Sequence, residues 1–173
     1  MRHLISATVL ALAACSPPAA PPEAPPTPAV EAAPAPQRAP QADSPTVGGD
    51  GSPIRLNPIS ADEVRKADLP GELGCSFAAG SGPLLIASGD VASQEPAFGI
   101  VKVGDYVERV AARGGFNGMV KGASFSGQGQ TVVVALTGPP TASGESPPSP
   151  ATLTYERADG ASRVIQGEWT CGP

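Results

Sequence analysis

Aromatic and aliphatic residues are confined to one part of this chain, and that limits where it can fold. All seven aromatic residues lie between Phe77 and Trp169, and from Ser16 to Pro53 the only large aliphatics are Val30 and Val47. Proline runs the other way: 14 of the 22 precede residue 74, and only Pro83 and Pro96 fall between residues 74 and 137. A segment without large apolar side chains buries too little surface to offset its chain entropy. The sequence therefore predicts a disordered Pro/Ala-rich linker over residues 15–53 and one folded domain over 54–173, its core starting near Cys75. Repeated Pro-Pro and Ala-Pro pairs favour the extended polyproline form, so the linker reads as a spacer reaching at most about 100 Å.

The first fifteen residues have a different logic. Met1, Arg2 and His3 make a short basic start, residues 4–12 are apolar, and Ala13 and Ala14 are small. This is the layout of a secretory leader over residues 1–14, and its apolar run is far shorter than the roughly 20 residues of a membrane span. Leu12–Ala13–Ala14–Cys15 resembles the lipobox of bacterial lipoproteins. The resemblance implies lipidation of the Cys15 sulfur, cleavage just before it and permanent attachment to a membrane, since two or three acyl chains hold a protein on a bilayer where one does not. Ser16 follows, where that family often uses Asp for inner-membrane retention. The expected location is therefore the cell envelope, at the periplasmic face of the outer membrane rather than the inner membrane.

Three cysteines are an odd count for an oxidising compartment. With Cys15 consumed by lipid, Cys75 and Cys171 remain, one near each end of the domain. Pairing them would close a loop of about 97 residues, a contribution of about 4–5 kcal/mol in the chain-entropy account. A domain this small buries only about two-thirds of its unfolded surface, so such a staple matters.

The domain itself reads as mainly β. Ser60 and Glu63 form a capping box that starts a short helix near 61–67, with Leu69, Pro70 and Gly71 ending it. Segments 83–88 and 131–137 contain continuous apolar runs, as in strands buried on both faces or at a barrel wall. Residues 97–103 and 106–112 flank Gly104–Asp105, a two-residue hairpin turn. A helix over 106–113 competes with that reading, because Asp105 and Glu108 also fit a capping box and Gly114 could stop it. Further pairs flank Gly127–Gln128–Gly129 (123–126 with 131–137) and Asp159–Gly160 (151–157 with 162–171). About seven short antiparallel strands predict a small barrel or sandwich. A Cys75–Cys171 bridge would tie its first strand to its last. The Pro-rich stretch 138–150 reads as an exposed loop.

Little in the domain carries chemistry. The only histidine, His3, belongs to the leader, which removes the usual Ser-His-Asp, Cys-His and zinc sets. Residues 114–118 are glycine-rich but lack the Gly-Lys-Ser/Thr of a phosphate loop and read as a turn. Lys121 and Ser124 lack the context of a Ser–Lys dyad. Asp105, Glu108, Glu156 and Asp159 sit near turns as solvated acids, and Trp169 beside Cys171 reads as core. No cofactor, metal or catalytic residue is expected, and no ligand-binding residue can be named. Without the leader the chain has 10 Lys+Arg against 16 Asp+Glu and no basic cluster, which argues against nucleic acid.

Residues 122–125, Gly-Ala-Ser-Phe, resemble the Ser-Gly-x-x-Tyr segment of the membrane-bound inhibitors of c-type lysozyme, which are small tethered β-barrel lipoproteins. Lys121 stands where that family has serine and Phe125 where it has tyrosine, and the family's Lys-Gly pair is missing from the next strand. The resemblance implies the architecture and no inhibitory site. The expectation is a lipid-anchored envelope protein whose β domain is a non-enzymatic binding module for an envelope or exogenous partner. The alternative is a structural or assembly accessory of the envelope, and an enzyme comes last.

Overall fold

The computed structural model describes residues 44–173. The expected leader, the expected lipidation residue Cys15 and the expected linker as far as residue 43 lie outside the described residues. No helix among the described residues is long and apolar enough to cross a membrane.

Eight antiparallel strands close into a barrel in chain order. They are β1 (Leu73–Ala79), β2 (Gly82–Gly89), β3 (Ala97–Val103), β4 (Tyr106–Ala112), β5 (Ser124–Gly127), β6 (Gln130–Leu136), β7 (Ser149–Arg157) and β8 (Ser162–Gly172). The architecture is thus a barrel and not a sandwich. The 106–112 segment is a strand, paired with β3 from Ala97↔Ala112 to Val103↔Tyr106, so the hairpin reading holds over the helix. One strand more is present than the seven expected. The addition is β1, Leu-Gly-Cys-Ser-Phe-Ala-Ala, whose glycine, serine and alanines carry little intrinsic strand preference. It is a strand because β2 and β8 both need a partner: Cys75 pairs with Ala87 on one side and Cys171 on the other.

That last pairing closes the barrel, and the Cys75 and Cys171 sulfurs are bonded across it, with Cα atoms 4.1 Å apart. The expected staple therefore joins first strand to last directly at the seam.

Alternation along each strand sorts side chains into lumen and exterior. On β7, Ser149, Ala151, Leu153 and Tyr155 point in. Trp169, Phe77, Phe125, Leu85, Leu153, Val101 and Val132 are fully buried and fill the lumen. Phe125 and Trp169 meet edge to face at 6.4 Å. Gly167 makes room for this packing, since a Cβ there would lie 2.6 Å from the Phe77 ring.

Four tight turns (after β1, β3, β5 and β7) gather at one mouth, the hairpin end. The longer connections gather at the other, the loop end. Each mouth is shut. At the loop end, where the sequence predicts a turn over 114–118, residues 115–119 form a short helix, α2 (Gly115–Met119), with Gly114 as its N-cap. Met119 is fully buried, and its carbonyl accepts from the Trp169 indole N–H at 2.9 Å. At the hairpin end, residues 44–59 cross the mouth as a strap and insert Ile54 and Leu56 into the main core. The linker expected to run to residue 53 is therefore too long by ten residues: 44–53 lie against β7 and β8, with Val47 bridged to Ser162.

Outside the barrel, α1 (Ala61–Ala67) starts at the expected Ser60–Glu63 capping box and ends at Asp68 in the left-handed region. Ala67, with Ile59, covers Ile100 of β3 in a second small core. Lys102 of β3 reaches Glu63 at 2.7 Å, and that ion pair with the capping bonds holds the Glu63 carboxyl down at about 2.

Candidate functional site

Small side chains on β1 leave a depression on the barrel exterior. Ser76 faces outward between Ile86 of β2 and Thr170 of β8, its register partners, and Ala78 lies beside Pro83 in the next row. On the β8 side, Ser146 of the 137–148 loop folds back against Gly172, where a Cβ would sit 1.8 Å from the Ser146 hydroxyl. The result is an open, mostly apolar groove of about 390 Å³ floored by β1, with Cys75 of the cystine among its lining residues. A volume of this order lies within the range of small-ligand clefts. Its polar groups include the Ser76 and Thr170 hydroxyls, and it contains no titratable side chain.

A polar cluster occupies the hairpin end. The Arg157 guanidinium donates to Asp159 at 2.6 and 3.0 Å, to Asp50 at 2.7 Å and to the Ser52 hydroxyl at 2.8 Å. Ser52 in turn donates to Asp50 through its hydroxyl at 2.6 Å and its amide at 2.9 Å. The Asp159 carboxyl is held far below its usual range, first by Arg157 and then by the Ala161 amide. Asp50 is lowered mainly by Ser52, with Arg157 adding to it. Arg157 is raised in return, chiefly by Asp159. A guanidinium stands between the two carboxylates where a cation would otherwise be drawn. Among the described residues no group of His, Cys, Asp or Glu is placed to hold a metal. The arrangement is a fastening for the strap.

One buried polar pair lies inside the barrel near the same mouth. The Tyr155 hydroxyl donates to the Gln130 side-chain oxygen, and Gln130 Nε2 finds no partner among the described residues. Burial pushes the Tyr155 phenol up to about 12, with the negative field of Glu108 adding and Arg157 opposing. It is a neutral hydrogen-bond donor at ordinary pH and not a base.

The residues singled out from the sequence are dispersed. Asp105 is exposed at the β3–β4 turn, Glu156 is exposed on β7, Glu108 is half-buried on β4, and Asp159 belongs to the fastening. Lys121 and Ser124 are both exposed, with no hydrogen bond between them among the described residues. Trp169 is core, and Phe125, at the position of the family tyrosine, packs against it inside the barrel. The groove residues went unread because most come from the first two strands and the last, with Ser146 added from the 137–148 loop. Cys75 and Cys171, 96 positions apart, were the signal that these strands meet.

Comparison with known proteins adds no relative: no family model, curated protein or solved structure matches this chain.

Proposed function

We propose that this chain is a lipid-anchored envelope protein whose barrel is a non-enzymatic binding module that engages a partner through the outer groove on β1. The filled lumen supports this reading most. Trp169, Phe77 and Phe125 occupy the interior, and the strap and α2 shut the two mouths, so a ligand has no room inside. A barrel of eight strands is just wide enough for side chains to fill it or for one small ligand to be held, and this one is of the first kind. Recognition then falls to the exterior, where the groove is concave and mostly apolar. The leader-like layout of residues 1–14 and the lipobox resemblance at Leu12–Cys15 support anchoring, and Ser16 after the cysteine supports the outer membrane.

Two measurements test the proposal. Cys15→Ser should move the protein from the membrane pellet to the soluble fraction; continued pelleting would end the anchored reading. A photo-crosslinking residue at Thr170, in the groove, should capture a discrete partner in intact cells. The same residue at Thr152, on the outer face of β7, should capture none. Equal capture at both sites would favour the structural accessory.

A further inference from the structure

The strap is held in two different ways. Its inner part, residues 54–59, buries Ile54, Leu56 and Ile59. Its backbone is matched by Lys102, Gly104, Pro83 and the Arg163 side chain. Its outer part, residues 44–53, buries nothing, and its one large apolar side chain, Val47, is 61% exposed. This outer part is fixed by the Val47–Ser162 backbone pair at 2.9 and 2.8 Å, by the Ile54 amide donating to the Thr46 hydroxyl, and by the Arg157 cluster. Gly48, Gly49 and Gly51 all sit at positive φ, so release restores the freedom of three glycines. Exposed hydrogen bonds and little apolar burial mark segments that open below the global unfolding free energy.

We propose that residues 44–53 form a clasp that opens as a unit while residues 54–59 and the barrel remain folded, with Arg157 as its fastener. Without the guanidinium, the Asp50 and Asp159 carboxylates are left close together and unneutralised. The clasp also depends on close backbone approach: a Cβ on Gly49 would lie 2.6 Å from both Ala161 Cβ and an Asp159 carboxylate oxygen. Charge and shape are thus two independent ways to open it. Opening adds ten residues, about 30 Å of extended chain, between the barrel and whatever precedes residue 44. Its use as a reserve of tether length rests on the anchored reading above, whereas the clasp itself does not.

The test is amide hydrogen exchange on the full chain carrying Cys15→Ser. The Val47 amide should exchange at least about 100-fold faster than that of Leu153 in β7. Arg157→Gln and Gly49→Ala should each accelerate Val47 about tenfold further with Leu153 unchanged. Equal rates at Val47 and Leu153, acceleration of both together, or failure of either variant to accelerate Val47 would overturn the proposal. Because no membrane is involved, the result stands or falls separately from the pelleting of the native chain.

Discussion

The two mouths of the barrel face the same problem, since an open end would wet the Phe77, Phe125 and Trp169 cluster. They solve it differently. At the loop end the plug is α2, inserted between β4 and β5, so the chain is held by a strand on either side. Phe116 and Gly115 are bonded to the Asp90 and Glu95 carbonyls, and the Ala92 amide donates to Asn117 at 2.7 Å. At the hairpin end the plug is a strap that, among the described residues, is followed by barrel strands on its α1 side and preceded by none. A plug bracketed by two strands leaves only when strands separate. A plug attached at one end can peel. The comparison teaches that similar burial need not mean similar cooperativity: Met119 is 0% exposed and Leu56 8%, yet among the described residues Met119 is flanked in the chain by barrel strands on both sides and Leu56 on one.

The largest expected effect tests whether the seam supports both mouths alike. Replacing Cys75 and Cys171 together by alanine should lower the unfolding free energy by about 4 kcal/mol, read as a fall in denaturant midpoint. Amides in the strap and in α2 should both accelerate. A loss confined to one end would show that the cystine serves that mouth and not closure of the barrel.

Next come the plugs. Met119→Ala should cost about 3 kcal/mol and appear as a lower midpoint for the whole barrel. Leu56→Ala should cost about 2 kcal/mol and should release the strap with smaller change at Leu153. Equal behaviour of the two variants at Leu153 would erase the distinction between the mouths.

Acid gives the smallest effect and acts on the hairpin end. The Asp50 and Asp159 carboxyls are lowered on folding, so their contribution is fully present above the ordinary Asp range and is lost only as pH falls through their folded values. Val47 exchange, corrected for the intrinsic pH dependence of amides, should therefore stay level from pH 7 to the ordinary Asp value of 3.8 and rise below it. A rise at higher pH would mean that another group holds the strap.

Much of the fold was legible because the signals were local. The Ser60–Glu63 box, the Gly104–Asp105 turn and the Asp159–Gly160 turn each fall within a few residues, and each marked its element. The cystine was legible once the lipobox resemblance set Cys15 aside. What escaped was non-local. β1 is a strand by virtue of its neighbours. Residues 114–118 contain three glycines, a poor helix composition, yet 115–119 are helical because Phe116 and Met119 find the open mouth. The outer strap looked like linker because it has no core to offer. It is held by Arg157, more than a hundred positions away, and no local pattern marks that pairing. The groove is invisible for a related reason, since it is defined by what Ser76 and Ala78 do not fill.

The sequence by itself determined a β-rich domain, the places where its chain reverses and the two residues that staple it, because turn chemistry and alternation act between near neighbours. Only the tertiary structure decided that the strands close on themselves, that one mouth is shut by a helix and the other by a strap, and that the exterior rather than the lumen offers a groove. Those outcomes depend on which side chains compete for the same enclosed space, and that is settled when distant segments meet.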